Sequence, residues 1–237
     1  MVYYPQNIGW YPNESDGIHM EIGIQPVTAF ARFFEATPGN SVKVVRDARL
    51  FQSDPGSYIK RAYYGPFLSA LKQTHWKGTD LATFESKLED VVMEIAGSNS
   101  KGRAAKEKRY RDLGKDYITY WQQYPDSQPF EVPEAVTAIA KLRLCVTAEL
   151  GIRVGSDEFA LEPYFRLPQP TRLYRQAIQH ITQQARQNVW HSDWIAAIYD
   201  VDRKTRLPDI CVNPRDLGIA LQGAAANFIQ IWNSIEL

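Results

Sequence analysis

AELGIRVGSDEFALEPYFRLP (residues 148–168) is the stretch from which the second half of the chain is read. Apolar and polar side chains alternate on both sides of Gly155-Ser156, as in two half-buried strands joined by a two-residue loop. That loop predicts a register in which Val154 faces Asp157, Arg153 faces Glu158, Ile152 faces Phe159 and Leu150 faces Leu161. One further step sets Glu149 opposite Glu162. The large apolar residues then share one face, and Glu149, Arg153, Glu158 and Glu162 share the other. Carboxylates directly opposite each other have side-chain roots about 4.5–5.5 Å apart, and such a pair is destabilising unless compensated. A divalent cation would relieve it, as would Arg143, Arg153 or Arg166, or a looser four-residue turn that moves Glu162 against Gly151. Arg153 with Glu158 reads as an ordinary cross-strand ion pair.

The segments flanking this hairpin set its context. KLRLCV (141–146) reads as a strand, and PEAVTAIA (133–140) as a short helix or a strand. Downstream, Thr171 is placed to cap a helix with Leu173, Ala177, Ile178, Ile181 and Ala185 on one face. WIAAIYDV (194–201) reads as a buried strand, and Asn213-Pro214 starts a last helix bearing Leu217, Leu221, Ala224, Phe228, Ile231 and Ile235. Asp200, Asp202 and Asp209 flank the turn RKTRL (203–207); acids at a strand end can be catalytic, but Asp202-Arg203-Lys204 reads more economically as a turn with solvated charges.

Upstream, the period becomes helical. Pro26 looks like the first residue of a helix carrying Val27, Phe30, Phe33 and Phe34, and Ser41 can cap another that runs through Phe51. Gly65-Pro66 is expected to kink or split the helix that continues with Phe67, Leu68 and Leu71. Thr79 or Asp80 can cap the next, whose stripe is Leu81, Phe84, Leu88, Val91, Val92 and Ile95. From Arg103 to Tyr124 a long helix presents Tyr110, Leu113, Tyr117, Ile118, Trp121 and Tyr124 to a core. YPDSQPFEVP (124–133), with three prolines, is the best candidate boundary. The predicted fold class is α+β: an aromatic N-terminal arm (1–25), a helical region (26–124), and an α+β region (134–237), the last two forming either separate units or one continuous domain. In that arrangement the helical half packs on a small mixed or antiparallel sheet with two C-terminal helices.

Bulk properties narrow the functional classes. With 237 residues, 44% of them hydrophobic, the chain can bury a sizeable core. No apolar run approaches the ~20 residues of a membrane span, and the opening MVYYPQNIGWYP lacks a signal-peptide pattern, so a cytoplasmic protein is expected. Cys145 and Cys211 sit in apolar surroundings, as reduced thiols do. Twenty-seven basic and twenty-seven acidic residues cancel, so any charged partner must be met by a local patch. The four histidines show no metal spacing, and no Gly-x-Ser-x-Gly or Cys-x-x-Cys occurs.

Two resemblances bear on chemistry. The order of a helix or strand, three strands, a helix and a fourth strand is similar to the core of the PD-(D/E)XK nuclease superfamily, whose metal-binding acids lie on the middle strands. The resemblance implies Asp157, Glu158 and Glu162 as catalytic acids, Asp157 and Glu162 as ligands of Mg or Mn, and Arg166 in place of the usual lysine. The expected acid-x-lysine is absent: Glu162-Pro163-Tyr164-Phe165-Arg166 stands there instead. Separately, LCVTAELGIRV with EPYFRLPQP resembles a pair of phrases in uncharacterised soluble bacterial proteins, over about the last hundred residues. Thr147-Ala148 replace their Asn-Pro, and Glu162 stands where they carry lysine. This resemblance implies no activity.

GSNSKGRA (97–104) has glycines at P-loop spacing, but it follows a helix, and Arg103-Ala104 replace the Lys-Ser/Thr pair. The same region is locally basic, and Lys101, Arg103, Lys106 and Arg109 are the candidate contacts to a nucleic-acid backbone, with Glu107 and Arg111 an i,i+4 ion pair. The expectation is a non-enzymatic macromolecular-interaction or regulatory protein without a cofactor, binding a protein partner or itself. The alternatives are a divalent-metal nuclease and a small-molecule sensor lined by Trp10 and Tyr11.

Overall fold

Gly155 and Ser156 form the whole turn of the central hairpin, with Gly155 at φ +60°, a conformation that glycine adopts without the Cβ penalty. A computed structural model describes residues 22–54, 65–75, 81–96, 102–124, 126–147, 150–164, 169–188, 194–200, 205–207 and 213–235. In it β5 (Leu150–Val154) and β6 (Asp157–Tyr164) pair with Leu150 opposite Leu161, Ile152 opposite Phe159, Arg153 opposite Glu158 and Val154 opposite Asp157. The looser turn is overturned, because Gly151 faces Ala160. Glu149 lies outside the described residues.

This hairpin is the middle of a five-stranded sheet in the order β2-β5-β6-β7-β8. β2 (Gln128–Phe130) and β5 are antiparallel, β7 (Ile195–Asp200) runs parallel to β6, and β8 (Thr205–Arg206) returns antiparallel to β7. β2 lies inside the proline-rich segment read as a boundary. Pro129 is accommodated because β2 is an edge strand, where a missing N–H need not break a ladder on both sides. Gly151, opposite Phe130, is required by close approach: a Cβ there would overlap the Phe130 carbonyl oxygen.

A second, three-stranded sheet has the order β1-β4-β3. β3 (Ala135–Ile139) and β4 (Leu142–Val146) form a hairpin, so the segment left open as helix or strand is a strand. β1 (Gln25–Pro26) pairs with β4 in parallel.

Seven described helices complete an α+β protein: α1 (Val27–Glu35), α2 (Pro38–Ser53), α3 (Gly65–His75), α4 (Leu81–Ala96), α5 (Arg103–Gln122), α6 (Arg172–Asn188) and α7 (Pro214–Ser234). Their starts follow local chemistry. Thr171 accepts the Tyr174 N–H at 3.1 Å, and Asn213 accepts the Arg215 N–H at 3.0 Å. The described part of α3 begins at Gly65, so the expected kink or split at Gly65-Pro66, which concerns residues before Gly65, lies outside the described residues. Ser41 lies inside α2, which begins at Pro38, and its hydroxyl donates to the Thr37 carbonyl at 3.0 Å. Thr79 and Asp80 fall outside the described residues, as do residues 1–21 of the proposed aromatic arm.

The helices divide between two cores, and the division does not follow the sequence boundary. One face of the five-stranded sheet, carrying Leu150, Ile152, Phe159, Leu161, Ala197 and Tyr199, packs on Phe67, Phe84, Leu113, Tyr117 and their neighbours from α3, α4 and α5. The opposite face, with Ala160 and Ile198, packs on α6; α1, α2 and α7 join the same cluster together with β3 and β4. The N-terminal helices are therefore split: α1 and α2 belong with the C-terminal helices. No described helix is long and apolar enough to cross a membrane.

Candidate functional site

The acids of β6 are separated by the strand's own geometry. Successive residues rise about 3.3 Å and alternate faces, so Asp157 and Glu162 lie on opposite faces with five steps between them. Asp157 is exposed at the hairpin tip. Glu158 shares a face with Glu162 but stands about 13 Å from it along the strand. Its carboxylate is already engaged: Arg153 Nε donates to Oε1 at 2.7 Å, and Trp194 Nε1 donates to Oε2 at 2.6 Å. Trp194 is buried and packs on Phe130, their ring centroids 4.9 Å apart, so Glu158 ties β7 and the β2 edge to the hairpin. The cross-strand pair of Arg153 and Glu158 expected from the register is present. Asp157 and Glu162, nominated together as metal ligands, are not brought together. Arg166 lies outside the described residues. Among the described residues, no group of three or more His, Cys, Asp and Glu is placed to hold a metal ion.

Glu162 is different in kind. It leaves the central strand on the face covered by α6 and α1, between Ala160 and Tyr164 on its own strand and opposite Ile198 of β7. A narrow cleft in front of it is lined by Val27, Val146, Ile178, Gln179, Thr182 and Ala196, among others. The space open to the centre of a water molecule is only about 10 Å³, room for about one water. Burial pushes the Glu162 carboxyl up to about 8, and the charges of Lys72 and Arg32 offset part of that rise.

Lys72 arrives from α3 and Arg32 from α1, so long-range packing gathers these charges. Burial lowers the Lys72 ammonium, opposed by Glu162, Glu134 and Cys145. Burial raises Glu134, with Lys72 opposing. Cys145 is a free thiol pushed up to about 12 by burial, which keeps it protonated and a poor nucleophile. Asp200 is wholly buried at the end of β7, on the same face as Ala196 and Ile198, while the turn Asp202-Arg203-Lys204 lies outside the described residues. The apolar run before it was the available signal: an acid that continues the alternation of a buried strand stays inside. Lys72, Arg32, Gln179 and Thr182 were not singled out, because single-residue patterns carry no information on which distant helix covers a strand.

On α5 the basic residues are spent locally. Arg103 pairs with Glu107 at 3.3 Å, Lys108 with Asp112 at 2.7 Å, and Arg111 with Glu89 of α4 at 2.5 Å. Arg111 thus bridges two helices, and Glu107 takes Arg103 as its partner in place of the expected Arg111. Lys106 sits 5.6 Å from the centre of the Tyr110 ring, and Arg109 is half-buried. Lys101 lies outside the described residues. Comparison with protein-family models, with curated proteins and with solved structures finds no match to this chain.

Proposed function

We propose that this protein acts by binding another macromolecule, in a regulatory or scaffolding role, and not by cleaving one. The observation that carries this reading is the commitment of the β6 acids to the fold: Glu158 holds Arg153 and Trp194, while Asp157 and Glu162 diverge on opposite faces. Metal-assisted phosphodiester hydrolysis needs several oxygen ligands converging on one point. The cleft at Glu162 has room for about one water, far less than the about 300–1,000 Å³ that a drug-sized ligand occupies.

The order of elements read as similar to the PD-(D/E)XK core is divided in space, because β4 pairs with β1 and β3 in a sheet separate from β5, β6 and β7. A shared fold does not carry the chemistry with it. The test is cross-linking of the tagged chain in its source cells, paired with magnesium- and manganese-dependent cleavage assays on DNA and RNA. Reproducible cross-links from defined lysines to one partner, with inert nucleic acid, are expected. Cleavage by the wild type that Glu162→Ala abolishes would overturn the reading in favour of a nuclease.

A further inference from the structure

We propose that the outer edge of β3 is a docking site for an extended segment of another protein, one that carries a carboxylate two residues from an apolar side chain. This rests on the reading of the protein as a macromolecule binder, and it names the surface and the kind of partner. β3 and β4 are joined by the two-residue loop Ala140-Lys141, so the flanking pair Ile139 and Leu142 exchanges both backbone hydrogen bonds, as do Thr137 with Leu144 and Ala135 with Val146. The alternate residues Val136 and Ala138 therefore direct their N–H and C=O groups away from β4. β3 ends the order β1-β4-β3, so among the described residues no strand meets those groups. The same two residues are the exposed ones, Val136 at 40%, whereas Ala135, Thr137 and Ile139 are buried.

Exposed strand edges are ordinarily guarded by charge, proline or brevity. Among the described edges, β1 and β8 have two residues each and β2 carries Pro129, but β3 runs five residues as AVTAI with none of these guards. The charge beside it selects the occupant. Arg143 faces Ala138 across the hairpin and Lys141 stands in the loop; both are exposed, and neither has an ion pair among the described residues. Ala138 offers only a methyl, so the space above it is open to the Arg143 side chain. A strand added at the edge lies about 9–10 Å from β4, two strand spacings, within the joint reach of an arginine and a glutamate. Its residue beside Ala138 is met by a cation, and the residue two places along, beside Val136, by an exposed apolar side chain. A second copy fits this less well, because antiparallel self-pairing about Thr137 sets Val136, and no carboxylate, beside Ala138.

The experiment titrates the full chain into fluorescein-labelled peptides of alternating threonine with valine, glutamate or lysine, read by fluorescence polarisation. Peptides with glutamate two residues from valine are expected to bind, and the matching lysine peptides about tenfold more weakly. Ala138→Pro removes only an outward N–H, so it is expected to keep the fold by circular dichroism and to weaken binding about tenfold or more. Arg143→Glu is expected to reverse the preference toward lysine, and it decides the matter should Ala138→Pro not fold. No binding of the glutamate peptides, equal binding of glutamate and lysine peptides, or a preference unchanged by Arg143→Glu would overturn the proposal. So would concentration-dependent dimerisation that Ala138→Pro abolishes, since the occupant is then a second copy. A cross-linked partner whose binding survives Ala138→Pro sinks the β3 edge and leaves the proposed function standing.

Discussion

Replacing Glu162 by glutamine should make the protein more stable, and by an amount that depends on pH in a defined way. Glutamine keeps the shape of the protonated acid and removes the charge. Glu162 ordinarily titrates at 4.5, but in the folded chain burial raises it to about 8. The unfolded chain therefore gives up its proton first, so wild-type stability falls as pH rises from the ordinary value through the folded one and is level above it. At pH 7 the separation from the ordinary value is about 2.5 pH units; at ~1.4 kcal/mol per unit the cost approaches roughly 3 kcal/mol. Loss of the attraction to Lys72 and Arg32 is already contained in that value. The expected gain for Glu162→Gln is about 1–3 kcal/mol at pH 7 and under about 1 kcal/mol at pH 5. Urea unfolding monitored by tryptophan fluorescence at half-unit steps from pH 5 to 9 measures it. Parallel stability curves for the two proteins would refute the burial argument, as would a Glu162→Gln chain less stable at pH 8 than the wild type.

Three further substitutions test the scaffold. Gly151→Ala should destabilise by about 1–3 kcal/mol, because the new methyl overlaps the Phe130 carbonyl oxygen and must push β2 off the sheet edge; chemical denaturation measures the loss. Thr171→Ala should cost about 1 kcal/mol by removing the α6 cap at the Tyr174 N–H, visible as earlier thermal unfolding. Arg49→Met should fray the end of α7, since Arg49 Nη1 donates to the Trp232 carbonyl at 3.0 Å and also to that of Ile235. A loss of about 1–3 kcal/mol and faster exchange at residues 230–235 are expected.

The parts of this fold that local rules govern were legible in the residues. Gly155-Ser156 with alternation on either side determines the hairpin register because a one-residue slip would turn Leu150, Ile152, Phe159 and Leu161 out of the core. Thr171, Asn213 and the prolines at 26 and 214 mark helix starts for reasons confined to one turn of chain, whereas Ser41, which has the chemistry of a cap, lies three residues inside a helix that Pro38 opens. Packing partners were not legible in this way. Phe30 and Phe33 form an amphipathic stripe that fits any apolar groove, and only the tertiary structure sets both against Phe228 of α7. Pro129 looked like a strand breaker because its position at a sheet edge is a property of the neighbours. Glu162 stood out in the sequence for its charge and for its predicted place opposite Glu149. Its burial under α6, and the approach of Lys72 and Arg32 from two helices more than eighty residues upstream, depend on long-range closure that no local pattern encodes.

The central claim is that the carboxylates of β6 serve the fold and a proton, and do not assemble a metal centre. Manganese titration of the full chain by calorimetry, with Glu162→Ala alongside, tests it most directly. The account predicts no stoichiometric binding in either protein. One ion bound per wild-type chain and lost with Glu162→Ala would contradict it.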